Sequence, residues 1–216
     1  MSLTDAQIQA LFLFTEKKYV RYYDLQVELV DHLATRIQEE INANQKLSFE
    51  QALEKVYADF GIFGFAKVVQ EKQDQFVRMG QRLLWKEFKA LFRWPQITLV
   101  ALVATIAWQL TLRVSMEILF PVLFIAWIAA SVLLTINIAL NIKKQKKKLL
   151  SIQFSPAEVS GGLVFVESLF FSSAANHNQW LFVILVTTSF LFKLATYRVY
   201  NNLRQQAIKL YPEAFA

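Results

Sequence analysis

The sequence predicts an all-α protein, an N-terminal cytoplasmic helical bundle followed by a four-helix transmembrane domain. Three observations lead there. Residues 1–93 carry apolar side chains at four-residue spacing between helix-start signals. Residues 94–216 contain long uncharged runs. Charge divides the same way: 13 Lys/Arg and 13 Asp/Glu lie in residues 1–93, against 10 basic and 4 acidic residues in 94–216. The overall 55% hydrophobic content and mean hydropathy of +0.32 therefore reflect one half made for water and one made for lipid.

In the first half, Thr4 with Gln7 and Ser48 with Gln51 have the spacing of capping boxes, which start a first and a third helix. Between them, residues 22–42 place Leu25, Leu29, Leu33, Ile37 and Ile41 on one stripe with charged flanks. The third helix buries Phe49, Leu53, Val56 and Phe60 and stops at Gly61, a residue suited to a left-handed cap. From about residue 65 a proline-free run predicts one long helix toward the bilayer, with Gly80 as its weak point and Pro95 as its break.

Four spans follow, at about 95–112, 118–142, 159–175 and 180–197. The first has 18 uncharged residues, about 27 Å as a helix, close to the thickness of a hydrocarbon core. The third is interrupted by Gly161, Gly162 and Glu167, and the fourth by Lys193. Basic residues set the orientation, since Lys and Arg near span ends stay on the cytoplasmic side. Lys143, Lys144, Lys146, Lys147 and Lys148 form a block between spans two and three; Arg82, Lys86, Lys89 and Arg93 precede span one; Arg198, Arg204 and Lys209 follow span four. All fall on one face, so both termini are expected in the cytosol. The first twenty residues lack the pattern of a signal peptide. Trp85, Trp94, Trp108 and Trp180 suit interfaces, whereas Trp127 lies mid-span and is expected to pack against another helix.

The lysine block reads as a topology anchor in a cytoplasmic hairpin, compatible with attraction to anionic headgroups. Nucleic acid is not an expected partner, because the block lies against the membrane and no reading fold accompanies it. Membrane lipids are, together with a protein partner or a second copy of the chain.

The stretch YYDLQVELVDHLATRIQEE, then SFEQALEKVYADFG and FAKVVQEKQ, resembles the small helical prefix domain of the HAAS type over about residues 5–75. That domain is often joined to membrane spans in bacteria and is associated with PadR-type regulators. The resemblance implies a signalling or regulatory protein of the bacterial inner membrane and supplies no catalytic residue.

Two polar groupings stand out. Glu28, Asp31 and His32 lie within one turn or so of helix, a spacing that could present metal ligands. A zinc site needs a further ligand, and the only other histidine, His177, is expected across the membrane; a hydrogen-bonded imidazole at the core edge, or a pH-responsive interface, suits the same residues. Glu167 is about ten positions into span three, roughly 15 Å deep, where a carboxylate faces protein or water. An antiparallel hairpin with span four sets it level with Thr187, Thr188 and Ser189, with Lys193 a turn nearer the cytosol.

No Gly-rich phosphate loop, HExxH, GxSxG or Ser/His/Asp grouping is present, and there is no cysteine, so no enzyme activity and no cofactor are expected. The leading expectation is an inner-membrane regulatory or sensory protein whose cytoplasmic domain binds a partner or self-associates, using the charged flank of the second helix: Asp24, Glu28, Asp31 and Glu39. The alternative is a small transporter or channel subunit that uses Glu167 within the bilayer.

Overall fold

The computed structural model describes residues 3–153 and 179–215. Among them all regular structure is helical. The third expected span, with Glu167, lies outside the described residues.

Helices α1 (Asp5–Lys17), α2 (Tyr23–Ala43) and α3 (Phe49–Ala58) form the N-terminal bundle. Both expected capping boxes are present. The Thr4 hydroxyl accepts from the Gln7 amide at 3.3 Å and the Gln7 side chain accepts from the Thr4 amide at 2.8 Å, with Ser48 and Gln51 repeating the arrangement. The predicted stripe is buried as Leu25, Leu29, Leu33 and Ile37 and meets Leu11, Ala52, Val56 and Phe65. Helix α1 ends through a bond from the Val20 amide to the Thr15 carbonyl, which puts Tyr19 in the left-handed region at φ 66°. A tyrosine there gives no sequence signal, because glycine is the residue expected at such a cap. Gly61 is left-handed as predicted, at φ 71°. Gly64 is a second left-handed position, and a Cβ on it would come within 2.3 Å of the Tyr57 hydroxyl.

Helix α4 (Ala66–Ala90) is continuous through Gly80, which is buried. The expected break falls between it and α5 (Ile97–Arg113). Helix α6 (Met116–Lys143) follows, then the lysine loop and α7 (Leu150–Gln153). Helix α8 (Gln179–Leu210) has 32 residues, about 48 Å, and a 3-10 turn over Pro212–Ala214 closes the described chain. By length and composition α6 and α8 are able to cross a membrane; α5 is apolar but shorter.

Helix α8 is the shaft on which the rest assembles. The Trp108 and Trp180 rings stack at 4.0 Å, and Val100 packs with Leu191 and Ala195, so α5 runs antiparallel to it. Trp127 meets Ser189 and Ser131 meets Lys193, each 62 residues apart, so α6 runs parallel to it. Leu119 with Phe182, and Ile138 with Tyr200, extend that register along the whole length. Helix α4 is antiparallel and buries Leu84 and Leu91 against Leu191 and Ala195. Most of α6 keeps its apolar surface open, including Ile118, Val122, Ile125, Leu133 and Leu140.

One residue joins the two halves. Leu150, from α7, is fully buried inside the N-terminal bundle with Leu25, Leu29 and Val56. The core of residues 1–93 thus includes a side chain supplied from beyond two long apolar helices.

Candidate functional site

The local problem at α7 is its start, where the first backbone N–H groups of a helix have no intrahelical partner. Asp24 supplies them. Its Oδ1 accepts from the Leu150 amide at 2.9 Å and its Oδ2 from the Ser151 amide at 2.9 Å. Oδ1 also accepts from the Leu25 amide at 3.0 Å, in the first turn of α2. One carboxylate therefore serves two helix starts 126 residues apart, and negative charge is favourable at both. Asp24 is 6% exposed, so it is not on the open charged flank expected of it. Its acidity at a helix start read as a solvated first-turn residue; the partner turn could not be seen in sequence.

The lysine loop is built into the same junction. The Tyr23 amide donates to the Lys148 carbonyl at 2.8 Å, and the Lys146 amide donates to the Ala214 carbonyl at 2.9 Å. Lys147 Nζ lies 3.8 Å from the Tyr23 ring centre and 3.6 Å from Glu213 Oε2. The Tyr23 hydroxyl donates to that same Glu213 oxygen at 2.7 Å. Residues from the start, middle and end of the chain so form one clasp. The lysine block is consequently more than a run of like charge: Lys147 and the Lys146 and Lys148 peptides are structural, while the side chains of Lys143, Lys144, Lys146 and Lys148 remain exposed.

Burial, the hydrogen bond to Glu213 and that residue's charge together push the Tyr23 phenol up to about 12. The Tyr23 hydrogen bond, then Lys147, holds the Glu213 carboxyl below its ordinary value. Tyr211, which meets Tyr23 edge-on at 6.2 Å, is also raised, first by burial and then by Asp24 and Glu28. Next to the clasp a cavity of about 230 Å³ is lined by Asp24, Glu28, Phe76, Met79, Ser151 and Tyr211, among others. The buried Ser151 hydroxyl has no hydrogen-bond partner there among the described residues.

The other predicted residues disperse. Glu28 pairs with Lys72 at 2.5 Å on a half-open surface, a contact worth under about 1 kcal/mol. Asp31, His32 and Glu39 are exposed on α2. His32 thus lies in solvent rather than at the core edge, because it stands about 200° around the helix from the buried Val30 and about 100° from the buried Leu33. Among the described residues no three metal-ligating side chains converge. Thr187 and Ser189 are buried and Thr188 is half-buried. Lys193 does not depend on reaching the end of its helix: its Nζ donates to the Trp127 carbonyl at 3.1 Å and to the Ser131 hydroxyl, and lies 4.1 Å from the Trp127 ring centre. Trp127 Nε1 donates to Ser189 Oγ at 2.5 Å, so Trp127 does pack against another helix. Ser131, Tyr23, Leu150 and Glu213 were absent from the sequence expectation. The only signal pointing to them is the return of apolar residues, Leu149 and Leu150, directly after the lysines.

No family model, curated protein or solved structure matches the chain. The site is thus described by its own geometry: a bonded and packed joint between a helical bundle and long apolar helices.

Two outcomes test this joint. Asp24→Asn keeps one acceptor oxygen but points an amide at the Ser151 N–H, and should cost about 1–3 kcal/mol. Amide exchange at Leu150 and Ser151 should accelerate in the variant; unchanged protection of both would contradict the capping role. The clasp also has a pH window. Tyr23 favours folding below about pH 10 and loses that contribution as pH rises through about 12, whereas the Glu213 contribution is present above about 4.5 and is lost as pH falls below it. In Glu213→Gln a one-tyrosine step in the phenolate absorbance titration should move down toward 10; an unmoved titration would show that burial alone raises Tyr23.

Proposed function

We propose that this chain is a bacterial inner-membrane regulatory or sensory protein, in which a HAAS-type cytoplasmic helical domain is mechanically joined to four spans. The observation that carries the reading is the joint itself. Asp24 and Leu150 make the packing of the N-terminal bundle depend on where the end of α6 and the tail of α8 sit. A displacement of the apolar helices is therefore felt at α2.

Four spans are supported by direction. Helices α6 and α8 run parallel, so Gln153 and Gln179 are separated along much of α8. From Gln179 to Tyr200, beside which Ile152 packs, that is about 31 Å. The apolar stretch at 159–175 has the composition to make the return inside a bilayer. The open apolar surface of α6 suits lipid. With the lysine loop, the N-terminal bundle and the C-terminal turn bonded together, both termini share one face, which the basic residues make cytoplasmic.

The exposed flank of α2 at Asp31 and Glu39, one side of the helix whose other side is locked into the joint, is the surface offered to a protein partner or a second copy.

The chain has no cysteine, so single cysteines report cleanly on sidedness. An impermeant thiol reagent added to intact cells should label Ser115→Cys and should reach Asn44→Cys and Lys144→Cys only after permeabilisation; labelling of position 144 in intact cells would end the topology. A photo-crosslinking side chain at Asp31 or Glu39 of the full chain in native membranes should give a discrete protein adduct. Adducts to lipid alone would remove the partner role. The full chain is required, because residues 1–93 by themselves lack Leu150.

A further inference from the structure

We propose that the exposed face formed by Arg82, Lys86 and Lys89 of α4 and by Arg93 in the turn that follows, with Trp85, binds the phosphate headgroups of anionic phospholipids, and that the lysine loop does not. This rests on the membrane reading above and adds to it which basic cluster meets the lipid.

Height along α8 separates the two clusters. The last turns of α4 pack where the apolar stretch of α8 ends: Phe88 is 4.5 Å and Trp85 5.5 Å from the Phe192 ring, and Leu91 packs with Leu191 and Ala195. The lysine loop is tied to the far end of the same helix. Ser151, just after the loop, lines a cavity with Leu203, Ala207 and Leu210, and the Lys146 amide bonds to Ala214. Ala195 and Ala207 are twelve residues apart, about 18 Å, whereas a headgroup layer extends roughly 5–8 Å beyond the hydrocarbon on each side. The loop stands above that layer, and Lys147 is already engaged by Glu213 and Tyr23.

The α4 face has the chemistry the layer needs. Arg82, Lys86, Lys89 and Arg93 follow each other at three- to four-residue spacing and are all exposed. Arg82, Trp85, Lys86 and Lys89 line one continuous groove. The single acidic residue between 75 and 93, Glu87, is not among the residues that line this groove; it lies beside Lys86 in a second hollow with Val199 and Asn202 of α8. Trp85 is half-exposed beside the cations, an amphipathic ring at the boundary between apolar and polar layers. Guanidinium forks match phosphate oxygens in two-point hydrogen bonds, and each basic residue at this depth adds to attraction for an anionic surface.

The test reconstitutes the full chain in bilayers of phosphatidylcholine and phosphatidylglycerol and measures the selectivity of its lipid shell with spin-labelled lipids of each type. Wild type should prefer phosphatidylglycerol. R82Q/K86Q/K89Q/R93Q should lower that preference about tenfold, while K143Q/K144Q/K146Q/K148Q, which spares Lys147, should leave most of it. If the quadruple α4 variant does not fold, R82Q/K86Q should still lower the preference about threefold. Preference lost with the loop variant and kept in the α4 variants would overturn the proposal. So would equal affinity of wild type for both lipids, which would leave these cations to an acidic protein segment while the membrane reading stands. A chain that does not enter bilayers at all would instead remove the membrane reading, and this inference with it.

Discussion

The structure depends on one shared carboxylate. Asp24 sits where α2 begins, and its two oxygens meet backbone amides in both α2 and α7. Removing it would leave buried N–H groups without acceptors, which costs more than a single hydrogen bond contributes. With the carboxylate in place, the start of α7 is capped, and Leu150 enters the bundle core. Capping and burial therefore reinforce one another.

That joint gives the long helices their meaning. A 32-residue α8 packs α5 along its first part and α4, α7 and the terminal turn along its second, while α6 meets it through side chains from Phe182 to Tyr200. The clasp of Tyr23, Lys147 and Glu213 adds a second fastening near the tip. Because Glu213 and Lys147 are largely exposed, water and salt weaken their attraction, and the clasp is the softer of the two fastenings. A joint with one firm and one soft attachment can loosen without unfolding the bundle.

Lys193 shows how an apolar surface accommodates a charge. A cation among apolar helices is costly unless it is paired or hydrogen-bonded. Here α6 brings a helical carbonyl, a hydroxyl and the Trp127 ring face to it. These contacts also set the parallel register of α6 on α8. A helix as uniformly apolar as α6 has no stripe of its own to specify which face turns inward, so the polar contacts choose it.

The sequence by itself determined where α1 and α3 start, which face of α2 turns inward and where α3 and α4 stop. Capping boxes at Thr4 and Ser48, the stripe from Leu25 to Ile37, the left-handed Gly61 and the break after α4 are local signals, written within three or four residues of where they act. It also displayed the polar residues Lys193 and Ser189 and the mid-span Trp127. What only the tertiary structure decided is which distant pieces meet. Asp24 reads as an exposed first-turn acid until α7 arrives from 126 residues away, and the five lysines read as an anchor until Tyr23 and Glu213 close on one of them. The physical reason is that periodicity encodes which face of a helix turns inward, but not which other helix receives it; that is chosen by the summed packing of the whole chain.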